Sequence, residues 1–303
     1  MAAKGRHYRS LPRRFRRPGL VLLGCGDVGL RFVRAFGERL RIVGVVRREE
    51  ATAAVRAAGA RALRVDLDDA RAARRLAGLA TSVLHSAPPP ASGADDPRTR
   101  HALAALHRAT RWVYLSTTGV YGDAGGARFD ETRPVAPASD RAARRVAAER
   151  LLRRRAARGA IRSTVLRVPG IYAADRLPIE RLQRGTPALV EADDVYTNHV
   201  QADDLARIAF VALMRGRSQR TVHAVDDGAM RMGEWFDAVA RATGLPPPAR
   251  LPREALRAAV SPMLWSFMSE SRRLDNRRLR RELRVRLRYP TVHALLATLP
   301  PPG

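Results

Sequence analysis

Short apolar runs alternate with longer amphipathic segments along most of this chain. The apolar runs, which have the length of buried strands, lie at residues 20–23, 41–46, 61–65, 81–85, 112–115, 163–167 and 220–225. The segments with helical spacing lie near residues 30–36, 49–58, 69–77, 97–109, 139–157 and 203–214. Regular alternation of strands and helices predicts an α/β fold with a doubly wound parallel sheet.

A glycine-rich turn joins the first apolar run to the first amphipathic helix. Gly24, Gly26 and Gly29 form a GxGxxG pattern there. In such a turn the first glycine permits a tight bend, the second lets the backbone approach a pyrophosphate, and the third lets helix and strand pack closely. The helix N-terminus adds free N–H groups and a partial positive charge. We predict a Rossmann dinucleotide site that includes Asp27 and Val28; the alternative is a structural turn without a ligand.

The end of the second strand indicates which dinucleotide binds. An NAD site usually has an acidic residue there, which bonds the ribose 2′-hydroxyl, but this chain has Arg47 and Arg48. Guanidinium groups bind a 2′-phosphate through paired hydrogen bonds. We therefore favour NADP(H) over NAD(H), the alternative being that both arginines are solvated surface groups.

Two further strand ends are expected to contact the dinucleotide, because ligands of α/β sheets bind at the carboxyl ends of the strands. Asp66 ends the third strand, where an adenine contact is expected. Ser86, Ala87 and Pro88 follow the fourth strand as a loop. We assign these four residues to the cofactor site.

Composition limits the class of protein. The 303 residues are 46% apolar, enough for one large domain or a domain with a lobe, and no apolar run approaches the length of a membrane span. Cys25 is the only cysteine, so an internal disulfide is excluded and a reducing, cytoplasmic compartment is expected. No spacing of metal ligands is found.

The net charge of +27 predicts nonspecific binding to polyanions. The arginines are scattered over many helices without interleaved aromatic residues, which argues against a dedicated nucleic-acid role. Residues 1–18 form a basic tail that we expect to be flexible.

Four motifs together resemble the extended short-chain dehydrogenase/reductases, and more narrowly the NAD-dependent epimerase/dehydratase family, over roughly residues 19–300. They are the glycine turn, Leu115–Gly122 (LSTTGVYG), Arg167–Tyr172 (RVPGIY) and Ala202–Ala206 (ADDLA). GxGxxG, in place of the more usual GxxGxxG, is similar to the atypical branch of this group. The resemblance implies NAD(P)-dependent chemistry on a small hydroxyl, carbonyl or sugar-like compound, and it allows a homodimer.

The resemblance also implies roles for particular residues. Thr117 matches the hydroxyl that bonds the reacting oxygen, and its neighbour Ser116 is expected at the cofactor. Pro169 and Ile171 match a segment that lies beside the nicotinamide.

The family's Tyr-x-x-x-Lys dyad is missing. When Glu149 is aligned with the family's usual glutamate, Arg141 falls at the tyrosine and Arg145 at the lysine, and no lysine follows Lys4. In the family the lysine lowers the pKa of the tyrosine, which then exchanges a proton as hydride moves. Arginine supplies charge, but its pKa is too high for it to be the acid.

Another group must therefore exchange the proton, or no redox step occurs. We take Tyr121, just beyond Thr117, as the first candidate. His199 is a further candidate because a histidine can titrate near neutrality. The match of Tyr172 and Arg176 to a Tyr-x-x-x-Arg pattern is taken as accidental, and Glu270 and Arg272 are expected to face the substrate.

The predicted organisation has a Rossmann domain over residues 19–170, with return segments at about 199–225. A small, mostly helical substrate lobe comprises residues 171–198 and 226–303. The favoured function is an atypical NAD(P)-dependent oxidoreductase or epimerase/dehydratase-like enzyme. The alternative is a non-catalytic NADP(H)-binding sensor or scaffold.

Overall fold

Seven parallel strands form the central sheet in a computed structural model that describes residues 18–301. In chain order the strands of the described residues are β1 (Gly19–Leu23), β2 (Arg41–Val46), β3 (Arg61–Arg64), β4 (Ser82–His85), β5 (Arg111–Thr117), β6 (Arg128–Phe129), β7 (Arg162–Val168), β8 (Gly170–Tyr172), β9 (Ala188–Leu189), β10 (Tyr196–Thr197), β11 (His199–Gln201), β12 (Arg220–His223), β13 (Met230–Arg231), β14 (Arg250–Leu251) and β15 (Arg273–Leu274). Apart from Pro18, the predicted basic tail lies outside the described residues.

The helices alternate with the long strands and then dominate the C-terminal third. They are α1 (Asp27–Phe36), α2 (Glu50–Ala57), α3 (Ala70–Ala73), α4 (Pro97–Ala105), α5 (Asp140–Ala157), α6 (Ile179–Gln183), α7 (Ala202–Arg215), α8 (Met232–Thr243), α9 (Arg253–Ala259), α10 (Pro262–Met268), α11 (Arg277–Arg281) and α12 (Val292–Leu296). No helix among residues 18–301 is long and apolar enough to cross a bilayer.

The sheet order is β12-β7-β5-β4-β1-β2-β3, with every pair parallel, so the predicted doubly wound Rossmann sheet is confirmed. The chain runs outward from β1 through β2 to β3 and then returns to β4 on the other side of β1. Strand order therefore reverses between β1 and β4. Ligands of such sheets bind beyond the carboxyl ends of the strands at this point.

Helices cover both faces of the sheet, which explains why its strands are apolar runs without alternation. On one face Phe32 of α1 and Leu205 of α7 pack in the same core cluster as Leu279 and Leu283. The segment assigned to the substrate lobe thus also contributes to the core of the sheet. On the other face α4 and α5 pack against Tyr114.

The rest of the C-terminal part packs around its own apolar clusters. One contains Tyr172, Trp235, Phe236 and Leu295, and another contains Leu256 and Met268. Short strand pairs join distant segments there: β8 with β11, β9 with β14, and β10 with β13. The pair β8–β11 continues directly from β7, so the floor of this lobe begins where the sheet ends.

Candidate functional site

A cleft of about 800 Å³ opens beyond the carboxyl ends of β1, β4, β5 and β7. Sequence-predicted residues in its wall are Gly24, Gly26, Asp27, Val28, Gly29, Ser86, Pro88, Ser116, Thr117, Pro169 and Ile171. The structure thus brings residues from four loops, far apart in sequence, to the place where strand order reverses. No cluster of three or more metal-ligating side chains occurs in the described part of the chain.

Packing within the protein requires two of the three glycines of the turn, and it leaves open space at the third. Gly24 has φ +80°, and a Cβ there would lie 2.5 Å from the backbone of Ala87. A Cβ on Gly29 would lie 3.0 Å from Leu22 and 3.3 Å from the Cys25 sulfur, so α1 and β1 pack closely there. A Cβ on Gly26 would meet nothing within 4 Å. Only Gly26 is not required by the protein itself, and the space beside it is where the motif receives a pyrophosphate.

The loop after β4 is built against this turn. The Ser86 hydroxyl donates to the Gly24 carbonyl at 2.6 Å, and Ser86 lines the cleft. Ala87 is buried against Gly24 and is not among the described residues of the cleft wall. Arg144 on α5 is also buried, and its guanidinium donates to the carbonyls of Gly93 at 2.8 Å and Ala91 at 2.9 Å. Helix α5 therefore holds the cleft wall in place.

An ion-pair network crosses the mouth of the cleft. Asp27, the first residue of α1, accepts hydrogen bonds from Arg31 at 3.2 Å and from Arg176 at 2.7 Å. Arg31 also bonds Asp203 at 3.2 Å and Asp175 at 2.6 Å. Burial raises the pKa of Asp27, but the bonds from Arg176 and Arg31 outweigh it and hold that pKa below its ordinary value. The two guanidinium groups offset a carboxylate that would otherwise repel a phosphate at this helix N-terminus.

The residues predicted to select the nucleotide lie on the surface beside the cleft. Arg47 and Arg48 follow β2 and are exposed, and Arg47 lies 3.8 Å from the carboxylate of Asp68. Asp66 is exposed too, and its carboxylate accepts a hydrogen bond from the Asp68 amide at 2.9 Å. None of Arg47, Arg48 and Asp66 is among the described residues of the 800 Å³ wall.

A second cavity, of about 480 Å³, lies between the sheet and the C-terminal lobe. Thr117, Arg141, Pro169, Gly170, Ile171, Arg176 and Phe267 line both this cavity and the cleft. The two spaces therefore share a wall. That wall contains the hydroxyl and the Pro-x-Ile segment that the family resemblance assigned to the reaction centre.

Thr117 stands at the end of β5 and is half-buried. Its Oγ1 accepts a hydrogen bond from the Gly119 amide at 3.2 Å, which opens the 3₁₀ turn Thr118–Tyr121. Next to it, Ser116 donates to a carboxylate oxygen of Glu149 at 2.6 Å. Glu149 in turn is bonded by Arg167 at 2.7 and 3.1 Å. The buried Ser116–Glu149–Arg167 connection fixes the strand end that carries Thr117.

Tyr121 lines neither cavity, so the geometry does not support its predicted role as the acid or base. It is 1% exposed, and its hydroxyl accepts from Arg167 at 2.6 Å. The same hydroxyl bonds Nε2 of His223 at 2.6 Å, and Nδ1 of His223 lies 2.9 Å from the Asp275 carbonyl. Burial raises the pKa of Tyr121 to about 12. The 3₁₀ turn carries this ring inward, away from Thr117.

The dyad positions hold arginines with different surroundings. The Arg145 guanidinium donates to the Leu115 carbonyl at 2.8 Å and to the Tyr114 hydroxyl at 3.1 Å, so it supports the end of β5. Arg141, one turn earlier, lines both cavities and stacks 4.7 Å from the ring centre of Phe267. Burial and the charge of Arg145 lower the pKa of Arg141 from its ordinary value. Both side chains supply positive charge at the end of β5, next to Thr117.

The 480 Å³ cavity, called the substrate-side cavity below, is lined by Tyr172, His199, Glu270 and Arg272 among others. Tyr172 is buried, and its hydroxyl donates to Asp226 at 3.3 Å; burial raises the pKa of Tyr172. His199 packs against the rings of Tyr172 and Trp235, and burial lowers its pKa to about 4, so the imidazole is neutral at pH 7. Neither group is suited to exchange a proton at that pH.

Glu270 and Arg272 form an ion pair at 2.6 Å in the same cavity wall, and Arg272 also donates to the Gly122 carbonyl at 2.6 Å. Glu270 is the only carboxyl group among the described residues of this wall.

Sequence reasoning missed several residues of the two walls. Pro90, Arg181, Trp235, Phe236, Met263 and Phe267 were not assigned to any site, yet they line one cavity or both. Helix α10 runs beside both cavities and exposes two large apolar side chains, with Met263 71% and Phe267 47% accessible. The signal available in the sequence was the short Met/Phe/Trp-rich segment Pro262–Met268 in an otherwise basic chain.

Comparison with known proteins gives the following matches. The model of the NAD dependent epimerase/dehydratase family matches residues 20–225, and no curated protein matches the chain. A solved structure of a functionally unknown conserved protein from Silicibacter pomeroyi is 30% identical, covers 93% of this chain and 98% of that chain, and has a TM-score of 0.78. MoeE5 in complex with UDP-glucose and NAD is 23% identical over 93% and 96% of the two chains, with a TM-score of 0.72. UDP-glucose 4-epimerase from Thermotoga maritima is 17% identical over 92% and 96%, with a TM-score of 0.76.

Proposed function

The chain belongs to the NAD-dependent epimerase/dehydratase family, and from that premise we propose that it is an NADP(H)-dependent enzyme that interconverts a hydroxyl and a carbonyl group. The substrate is a compact hydroxyl, carbonyl or sugar-like compound bound in the 480 Å³ cavity. The nucleotide occupies the 800 Å³ cleft. Proton exchange uses a group other than the absent Tyr-x-x-x-Lys dyad.

One observation carries this proposal: the two cavities meet at Thr117 and the segment Pro169–Ile171. The cleft shares a wall with a second cavity of the volume usual for small-molecule sites. A reacting carbon held in that cavity would lie against the end of the nucleotide cleft.

The residues of the cleft fit a dinucleotide. The open space beside Gly26 accepts a pyrophosphate against the N-terminus of α1. Arg176 reaches the same helix end from the lobe and adds a second cation there. When bound, the nicotinamide supplies the hydride acceptor or donor.

The chain's own groups divide the remaining work. The Thr117 hydroxyl holds the reacting oxygen by a hydrogen bond. Arg141, which lines the cavity, stabilises negative charge that develops on that oxygen. Glu270 accepts the proton of the substrate hydroxyl in the oxidative direction and returns it in the reductive direction.

Selection of NADP(H) is proposed to rest on Arg47 and Arg48. Both are exposed beyond β2, where a 2′-phosphate would lie, and the pair Arg47–Asp68 at 3.8 Å is loose enough to be replaced. Calorimetric titration with NADPH and NADH in parallel tests this. We expect NADPH to bind at least about tenfold tighter, and this preference to disappear in R47D/R48A. Arg41→Asp is the matched control, because Arg41 is exposed at the opposite end of the same strand.

A substrate screen follows the nucleotide titration. Hydroxy acids, aldehydes, sugars and nucleotide sugars are tested for oxidation or reduction of the bound nucleotide; the nucleotide sugars are included because MoeE5, a protein of the same fold, was solved with UDP-glucose. For any substrate found, E270Q is expected to lower kcat by about 10²–10⁴. Unchanged kcat in E270Q would assign the proton transfer to another group.

A non-catalytic NADP(H) sensor is the second candidate. It is favoured by the Arg145 geometry, since the side chain at the lysine position is committed to the Leu115 carbonyl and the Tyr114 hydroxyl. Turnover distinguishes the two functions. A sensor binds the nucleotide tightly but leaves its redox state unchanged with every compound of the screen.

A further inference from the structure

Arg181 occupies an unusual position in the wall of the substrate-side cavity. It lies on α6, and its guanidinium stacks 3.9 Å from the ring centre of Phe236. The side chain lines the 480 Å³ cavity and is absent from the described wall of the nucleotide cleft. Its site is therefore separate from the place where the cofactor phosphates would lie.

The hydrogen bonds of Arg181 are incomplete. Its Nη2 donates to the Pro187 carbonyl at 3.2 Å and approaches the Met268 sulfur at 3.0 Å, and sulfur is a weak acceptor. Its Nε is buried with no hydrogen-bond partner among the described residues. A buried N–H without a partner costs free energy, so the protein satisfies this guanidinium only in part.

Two of the other three arginines of this cavity wall have carboxylate partners, and the third, Arg141, also borders the nucleotide cleft. Arg272 is paired with Glu270 at 2.6 Å, and Arg176 is paired with Asp27 at 2.7 Å. No acidic side chain among the described residues makes a hydrogen bond or salt bridge to Arg181, and burial lowers its pKa to about 10. A partly buried guanidinium without a counter-ion is unfavourable, and a bound anion removes the cost.

We propose that Arg181 is the anion-recognition group of the substrate cavity, so that the substrate carries a carboxylate or a phosphate at the end remote from the reacting carbon. This inference rests on the proposed substrate role of that cavity. Guanidinium binds both anions through two parallel N–H···O bonds, and stacking on Phe236 fixes the plane of the fork. Four arginines in the cavity wall against one glutamate give a field that favours an anionic ligand.

The test is a binding measurement, so it does not depend on turnover. Inorganic phosphate, glucuronate and glucose are titrated by calorimetry into the full-length protein, with and without saturating NADPH. Phosphate and glucuronate separate the two anion chemistries, and glucose is the neutral match of glucuronate. We expect at least one anion to bind about tenfold or more tighter than glucose.

Two variants locate the site, one within α6 and one at the residue directly after this helix. R181M keeps the apolar stem volume and is expected to weaken anion binding by about 10–100-fold. R184M is the matched control, because Arg184 is exposed, is paired with Glu180 at 2.6 Å and lies outside the cavity. Should R181M fail to fold, R181K keeps the charge but loses the planar fork, and a drop of several-fold is expected.

The proposal is overturned if glucose binds as tightly as the anions, if none of the probes binds, or if R181M retains the full anion preference. Nucleotide affinity is measured in the same samples. Anion binding that depends on Arg181 but occurs without nucleotide binding would refute the proposed cofactor role and leave the anion site standing. Nucleotide binding without any anion preference would refute the anion site and leave the proposed cofactor role standing.

Discussion

Arg167 and Glu149 form a two-point ion pair in the interior, with Nη2 and Nε of the arginine 2.7 and 3.1 Å from the carboxylate oxygens. Their side chains are only 2% and 1% exposed. The pair joins β7 to α5, and through Ser116 it also reaches β5 at the residue before Thr117. An interaction deep in the protein thus determines where the proposed reaction centre stands.

Removing one member of this pair leaves the other charge buried without a partner. We expect Glu149→Ala to lower the free energy of unfolding by about 3–5 kcal/mol. Arg153→Ala is the control, because Arg153 touches the same carboxylate at 3.2 Å but is 40% exposed, and its loss should cost under about 1 kcal/mol. Urea unfolding of the two variants checks the contrast; equal losses would refute the role given to the Arg167 pair.

Substitutions at two glycines of the turn are expected to affect different properties, protein stability in one case and nucleotide affinity in the other. Gly24→Ala forces a Cβ against Ala87 in a left-handed conformation and should cost at least about 2 kcal/mol of stability. Gly26→Ala meets no protein atom, so it should fold with less than about 1 kcal/mol lost. Its nucleotide affinity should nevertheless fall at least about tenfold, because the new methyl group occupies the space given to the pyrophosphate. Thermal unfolding and nucleotide titration measure the two effects separately.

Tyr121→Phe tests whether Tyr121 takes part in proton transfer, as the sequence predicts, or has a structural role in the interior. The loss of the hydroxyl leaves Nη1 of Arg167 and Nε2 of His223 without their bond to it, which should cost about 1–3 kcal/mol. Nucleotide affinity should not change, and neither should the pH dependence of any turnover. A shift of that pH profile would restore Tyr121 as a participant in proton transfer.

The buried imidazole of His199 makes stability depend on pH. Its pKa is lowered to about 4 in the folded protein, against about 6.5 when unfolded, so between these values the unfolded chain binds the extra proton. Stability contributed by this group is therefore lost as pH falls through that window, at up to about 1.4 kcal/mol per pH unit. Denaturant unfolding of wild type and His199→Phe from pH 7 to pH 4 isolates the group, since other titrations cancel in the difference. Parallel curves would contradict the assignment.

The sheet was predictable from sequence because it depends on local regularities. Buried parallel strands must be continuous apolar runs, and the helices between them must be amphipathic. The seven strands of the sheet, β1 to β5, β7 and β12, were therefore predictable within a few residues, as were α1 to α5 and α7. The three glycines were readable for the same reason, since each requirement lies within one turn of chain.

The reaction centre was less readable because it depends on direction in space. Tyr121 follows Thr117 closely in sequence, but a single 3₁₀ turn rotates its ring toward Arg167 and His223, which come from strands 46 and 102 residues away. Arg181 belongs to a five-residue helix, too short to show a periodic face. Its lack of a counter-ion is a property of the whole surrounding fold and has no signature in the neighbouring residues.

The wall shared by the two cavities has a consequence for the affinities of the two ligands. Phe267 and Arg141 border both spaces, so a ligand that moves either side chain changes the shape of the space still empty. Binding free energies in the two cavities must then be linked, and the linkage is equal in both directions: by whatever factor nucleotide alters the affinity for substrate, substrate alters the affinity for nucleotide. The stacked pair Arg141–Phe267 thus contributes to the affinity of both cavities for their ligands.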